Sequence, residues 1–186
     1  MFGIERKHFF QISNILSLFR LVGAIPLFWL LYDETILAKP FVLVIVFLLS
    51  ISDFFDGYLA RKLDQVSELG KILDPLADKV LVILVALAFF VTGILDKTLF
   101  LIIVIRDLMI IVPGILLGKY FGSVPASDQI GKWTFTFIGS YLILIYIGAS
   151  KESLPMIIYY YGLIALIVTS YINYAIRAIK TIKNKT

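Results

Sequence analysis

The sequence predicts an all-α membrane protein: a six-transmembrane-helix bundle with both termini cytoplasmic and a short N-terminal interfacial helix. Composition, segment length and the placement of charge carry that expectation. Apolar residues make up 60% of the 186-residue chain and charged residues 16%, with a mean hydropathy of +0.97. Soluble domains sit near 45–50% apolar and about 25% charged. Mostly apolar stretches of the roughly 17–25 residues needed to cross a bilayer recur six times.

The stretches fall at about 12–32, 40–60, 74–95, 98–118, 133–150 and 154–176. Asp33-Glu34, Asp96-Lys97 and Lys151-Glu152 mark three short turns on one side, and Pro40 and Pro155 stand near helix starts. Asp74-Pro75 reads as an N-cap followed by proline at the first helical position, opening the third stretch. From Gly118 to Gly131, with Gly122 and Pro125 between, a longer loop is expected on the opposite side. No internal repeat, low-complexity segment or domain boundary interrupts the pattern, so residues 1–186 read as a single transmembrane domain.

Charge orients the bundle. Of 17 Lys and Arg residues, Lys39, Lys97 and Lys151 fall on the short-turn side and Arg106 lies inside the fourth stretch. The other 13 gather at the opposite ends, among them Arg177, Lys180, Lys183 and Lys185. By the positive-inside rule that face is cytoplasmic. The net charge of +4 therefore reads as topology and contact with anionic membrane lipids rather than nucleic-acid binding, whose footprint is a basic face on a soluble fold. Arg6 and Lys7 precede an apolar stretch, but Gln11, Asn14 and Arg20 interrupt it and no small-residue cleavage site follows, so a signal peptide is not expected. The lack of cysteine excludes disulfides, thiolate metal sites and a cysteine nucleophile.

The polar residues of the spans gather at one depth. Gln11, Ser13, Asn14, Ser17 and Arg20 occupy the inner half of the first stretch, Asp53, Asp56, Gly57 and Arg61 the inner end of the second, and Asp74 and Asp78 the start of the third. An ionised group in hydrocarbon costs several kcal/mol or draws in water, so such residues normally line a hydrated cavity. Asn14 and Ser17 are equally open to a role as interhelical hydrogen-bond partners. Lys62 and Lys71 read as snorkelling anchors, and Asp64 and Glu68 as solvated loop charges.

On a helix, Asp53, Asp56, Gly57 and Ala60 recur at i, i+3, i+4 and i+7 and share one face. Two carboxylates are followed there by two positions with almost no side chain, and Arg61 stands at the rim, suited to a phosphate. Asp74 and Asp78, at i and i+4, share a face of the next helix. Four carboxylates converging without balancing cations repel strongly unless divalent metals lie between them. Hard oxygen donors suit Mg²⁺, Mn²⁺ or Ca²⁺, and two such ions clamp a diphosphate. The residues thus point to metal-dependent phosphoryl transfer at the membrane surface, without naming a substrate.

The run Asp53-x2-Asp56-Gly57-x2-Ala60-Arg61-x8-Gly70-x3-Asp74-x3-Asp78 resembles the complete signature of the CDP-alcohol phosphatidyltransferases, with all eight fixed positions at that family's spacing. The six-helix topology is similar too, so the resemblance covers most of the chain. It implies that Asp53, Asp56 and Asp74 bind two Mg²⁺ or Mn²⁺ ions, with Asp78 a further ligand or the general base. Asp53, Gly57, Ala60 and Arg61 would hold the CDP moiety of CDP-diacylglycerol, and Gly70 would permit the turn between the two helices. It also implies a small alcohol or sugar-phosphate acceptor, release of CMP, a bacterial cell membrane location with the active site facing the cytoplasm, and homodimers.

The acceptor is read from other residues. Asn14-Ile15-Leu16-Ser17-Leu18-Phe19-Arg20, with Pro26 six residues on, resembles an element of the phosphatidylglycerophosphate synthase branch of the family, with Ser17 in place of threonine. This implies glycerol 3-phosphate as acceptor. Arg106-Asp107 and the stretch from Asp74 to Lys79 are similar also to the cardiolipin synthase branch, whose acceptor is phosphatidylglycerol, and an inositol phosphate is a further alternative. Ser127-x3-Gly131-Lys132 resembles a basic family element only loosely, since Trp133-Thr134-Phe135 replaces its basic continuation. A phosphorylated acceptor needs cationic partners. Arg20, Arg106, Lys132 and Arg177 are the cationic candidates, with Asn14 a neutral acceptor contact beside them, although Arg106 is open to pairing with Asp107 or an aspartate of the site, and Arg177 to a role as C-terminal anchor. An ion or metal transporter is the competing class. Transporters place such groups near the midplane, often in related repeats, whereas these acids cluster at one end beside Arg61.

Overall fold

A computed structural model describes residues 12–33, 35, 39–62, 70–121 and 129–183, with backbone alone at 12–13, 52–62, 70–75, 114–121 and 181–182. Among the described residues there are six helices and no strand: α1 (Ile12–Tyr32), α2 (Lys39–Lys62), α3 (Gly70–Val91), α4 (Lys97–Phe121), α5 (Gln129–Tyr146) and α6 (Leu154–Lys183). The expected N-terminal interfacial helix lies outside the described residues. Asn14–Tyr32 and Leu154–Lys180 are each long and apolar enough to cross a membrane, and Lys39–Ile51 is a shorter apolar helical stretch.

Several boundaries differ from expectation. α3 begins at Gly70 rather than at Asp74, so Asp74-Pro75 lies inside the helix and does not cap it. A proline there forfeits the single bond to the carbonyl four residues back, a loss most easily borne near a helix end. α4 continues through Gly118 to Phe121 and α5 starts at Gln129, so Gly118 and Gly131 are helical, and the rest of the expected loop lies outside the described residues. A helical glycine costs only about 1 kcal/mol against alanine, less than the adjoining apolar turns return.

The helices form two compact units, Met1–Thr92 and Gly93–Thr186. In the first, α1 packs on both α2 and α3. Its buried stripe, Asn14, Ser17, Arg20, Ala24, Leu27 and Leu31, advances in steps of three and four, the period of one helix face. Val42 and Leu49 of α2 and Ala77, Leu81, Ala86 and Phe89 of α3 complete that core. The outer face of α1 is apolar instead: Ile15, Leu18, Phe19, Val22, Ile25 and Trp29 are exposed. Polar groups inside and apolar groups outside invert the soluble pattern and suit hydrocarbon surroundings, where burying apolar surface between helices gains little. Beyond α1, the Thr35 hydroxyl and backbone N–H both donate to Asp33 Oδ1, at 2.6 and 3.0 Å. The hydroxyl bond chiefly, and the backbone bond after it, hold the exposed Asp33 carboxyl below its ordinary range.

The second unit opens where Gly93, at φ 75°, ends α3 and Asp96 caps α4 by accepting from the Leu99 N–H at 3.0 Å. α6 packs on α4 and on α5. Its buried stripe is Met156, Leu163, Ile167, Ser170 and Tyr174, against Leu99, Ile103 and Arg106 of α4 and Thr134, Ile138, Tyr141 and Ile145 of α5. α5 ends in a Schellman turn: Gly148, at φ 96°, donates to the Ile145 carbonyl and Ala149 to that of Leu144. Only glycine adopts that left-handed geometry without strain. The turn brings α6 back alongside α5, where the Tyr159 hydroxyl meets Ser140 Oγ at 2.6 Å and the Phe137 carbonyl at 3.1 Å.

Candidate active site

α2 is unbroken to Lys62, so its register keeps Asp53, Asp56, Gly57 and Ala60 on one face, with Arg61 the next residue. Asp74 and Asp78 lie one turn apart on α3, and Gly70 is that helix's first residue. The side chains of Asp53, Asp56, Arg61 and Asp74 lie outside the described residues. Asp78 is the member of the carboxylate set whose surroundings are described.

Asp78 accepts an ion-paired hydrogen bond from Nη1 of Arg20, through Oδ1. The two residues stand 58 apart in sequence and meet because α1 packs along α3. Their exposures differ sharply: the Arg20 side chain is 1% exposed and that of Asp78 24%. Asn14 and Ser17 are buried on the same stripe of α1. In sequence, Arg20 is one of several candidates for the acceptor and the aspartates converge without an evident balancing cation. The structure supplies a cation to Asp78 in Arg20. The available signal was the arginine's place on the buried stripe, in phase with Ser17, Ala24 and Leu27.

The remaining acceptor candidates belong to the second unit. Arg106 is buried, with Nη1 2.5 Å from Oδ1 of Asp107 and Nη2 donating to Ser170 Oγ at 3.2 Å. This is the internal pairing that the adjacent Asp107 left open, with Ser170 an added partner that sequence reasoning missed. A serine in phase with Leu163, Ile167 and Tyr174 on an otherwise apolar stripe was its signal. Lys132 is exposed in the first turns of α5. Arg177 is half-buried, and its Nε donates to the Asn173 carbonyl of its own helix at 3.3 Å.

Among the described residues no group of three or more His, Cys, Asp and Glu side chains gathers to hold a metal. The chemistry of the donor set nevertheless fits hard divalent ions. The four residues offer carboxylate oxygens, on helical backbone that pairs them at i, i+3 and i, i+4, and the chain has no cysteine to favour softer metals.

A chain that is helical among its described residues, with apolar outer faces and paired acids on the helices of its first unit, has the form of a lipid-phase phosphotransfer protein. Comparison with known proteins makes the assignment specific. Residues 10–171 match the family described as CDP-alcohol phosphatidyltransferase. A protein of Aquifex aeolicus named CDP-diacylglycerol--glycerol-3-phosphate 3-phosphatidyltransferase is 34% identical, over 92% of this chain and 98% of the relative. One of the same name from Rickettsia bellii is 35% identical over 77% and 78%, and a cardiolipin synthase (CMP-forming) of Streptomyces coelicolor is 31% identical over 76% and 68%. The chain belongs to the CDP-alcohol phosphatidyltransferase family.

Proposed function

We infer that this protein transfers the phosphatidyl group of CDP-diacylglycerol to glycerol 3-phosphate, releasing CMP in phospholipid synthesis. The observation that carries this reading is the near end-to-end match to the Aquifex relative of that name. The complete acid signature from Asp53 to Asp78 supports it. The whole chain acts as one domain in the cell membrane, since the family match runs through both compact units. Six spans, cytoplasmic termini and a site open to the cytosol are supported by the number of helices and by the side on which Lys and Arg gather.

Asp53, Asp56 and Asp74 would hold two Mg²⁺ or Mn²⁺ ions, which when bound neutralise charge on the diphosphate, leaving Asp78 to act as the base. Gly57 and Ala60 leave the helix face open to the CDP moiety, and Arg61 meets a phosphate. The acceptor hydroxyl attacks the phosphorus that bears the lipid. The new bond joins acceptor oxygen to that phosphorus, the bond to the CMP oxygen breaks, and Asp78 takes the hydroxyl proton. The diacylglycerol tails stay in the bilayer throughout.

The test is purified protein with CDP-diacylglycerol, Mg²⁺ or Mn²⁺, and a panel of glycerol 3-phosphate, phosphatidylglycerol and inositol phosphate. CMP release with glycerol 3-phosphate is expected. Release with phosphatidylglycerol instead would assign the chain to the chemistry in the name of the Streptomyces relative. No CMP with any acceptor would sink the reading.

A further inference from the structure

We propose that Arg20 is the positioning residue of Asp78, holding the proton-accepting carboxylate from behind rather than binding the acceptor's phosphate. The proposal rests on the phosphatidyl-transfer reading above and assigns one residue within that site.

Burial separates the two roles. A phosphate ligand must present its guanidinium to the substrate, but the Arg20 side chain is 1% exposed, enclosed where α1 packs on α3. Its partner Asp78 is 24% exposed, so the carboxylate is the member of the pair that substrate can reach. Arg20 lies between Ser17 and Ala24 on a stripe that continues into the apolar core at Leu27 and Leu31.

The chemistry agrees with that placement. A guanidinium is planar, always charged, and directs its N–H groups along fixed lines, so it fixes a carboxylate's orientation better than an ammonium does. Its bond to Oδ1 restrains the rotation of the Asp78 carboxylate about its own axis. A proton acceptor must be aimed at a hydroxyl oxygen within hydrogen-bond reach, and small misplacements are costly in rate. The positive charge also offsets the repulsion expected among Asp53, Asp56, Asp74 and Asp78.

Arg20→Gln and Arg20→Lys, assayed with CDP-diacylglycerol in mixed micelles and glycerol 3-phosphate, test the assignment. Folded enzyme is counted by CDP-diacylglycerol binding. For Arg20→Gln, kcat should fall by about 100-fold, the low end of a general base's contribution, while KM for glycerol 3-phosphate stays within about twofold. Arg20→Lys should recover about tenfold of the lost kcat, since a point charge still attracts Oδ1 without fixing its direction. A merely structural arginine would leave kcat per folded enzyme unchanged in both variants, and that result overturns the proposal. So does a rise in KM for glycerol 3-phosphate of about tenfold or more with kcat kept, the signature of lost uniform binding. If Arg20→Gln does not fold, Arg20→Lys decides alone, its kcat per folded enzyme separating a positioning from a merely structural arginine and its KM separating both from a phosphate ligand. A wild-type protein that releases no CMP would count against the reaction itself, whereas an active wild type with either adverse pattern counts against the role of Arg20.

Discussion

Ser170 on α6 accepts a 3.2 Å hydrogen bond from Nη2 of Arg106 on α4, and the two residues stand 64 apart in sequence. Two further bonds have the same offset: the Tyr160 hydroxyl donates to Asp96 and the Tyr174 hydroxyl to the Ile110 carbonyl. A constant offset at three levels is what two parallel helices in one register produce. The middle level is the costly one, because the Arg106–Asp107 pair is buried. Removing one partner of a buried pair costs about 3–5 kcal/mol, since the other charge is left uncompensated. Interhelical hydrogen bonds in membrane proteins average only about 0.6 kcal/mol. Asp107→Ala should therefore lower the thermal unfolding midpoint in detergent far more than Ser170→Ala. Arg106→Met combined with Asp107→Leu should be less damaging than Asp107→Ala alone.

Gly23 of α1 lies close against Leu49 of α2. A Cβ built there would stand 3.0 Å from Cδ2 of Leu49. The obstacle is the tip of a flexible side chain, so Gly23→Ala should be close to neutral, the clash offset by about 1 kcal/mol of gained helix propensity. Gly23→Ile adds a branch that a single leucine shift cannot accommodate and should cost about 1–3 kcal/mol, as overpacking does. Adding Leu49→Ala should return part of that loss. Thermal unfolding of the three variants checks the order, and no rescue by Leu49→Ala would show that another contact sets the spacing.

Asp96 does two things with one oxygen: its Oδ1 accepts from the Leu99 N–H that starts α4 and from the Tyr160 hydroxyl, each at 3.0 Å. Loss of an N-cap costs about 0.5–2 kcal/mol, and a single hydrogen bond about 0.5–1.5 kcal/mol. Asp96→Ala should thus destabilise more than Tyr160→Phe. Asp96→Asn should keep most of the stability, because its amide oxygen still caps. A double-mutant cycle between Asp96→Ala and Tyr160→Phe should show the two changes to be less than additive. Full additivity would mean the tyrosine bond contributes nothing.

The first span, read as 12–32, is a helix over those same residues, with Pro26 inside it, because Gln11 and Asp33 bound a run whose polar members Asn14, Ser17 and Arg20 fall on the one stripe it buries. Where the reading slipped, a local signal outweighed a longer pattern. Asp74-Pro75 has the form of a helix start, yet the backbone is already helical from Gly70, and Gly118 and Gly131 have the form of loop residues yet sit in helices. The acid pairs were legible because i, i+3 and i, i+4 spacing is a property of one helix. The Arg20–Asp78 and Arg106–Ser170 contacts were not, since they depend on which faces of separate helices meet. Arg106–Asp107, being adjacent, was visible as one of two alternatives.

Asp78→Asn separates proton transfer from binding. The substitution keeps the side chain's size, and its amide oxygen can still accept the Arg20 bond that Oδ1 accepts now. What it loses is the capacity to take a proton from the attacking hydroxyl. Removing a general base lowers turnover by about 10²–10⁴-fold, so CMP release should fall by at least about 100-fold with CDP-diacylglycerol binding largely kept. Chelation of divalent ions should act differently. It removes the charges that hold the diphosphate, so turnover and nucleotide binding should fall together, and Mg²⁺ or Mn²⁺ should restore both. If Asp78→Asn instead loses nucleotide binding in the same proportion as turnover, and added Mn²⁺ recovers part of each, Asp78 serves as a metal ligand and the proton leaves by another route.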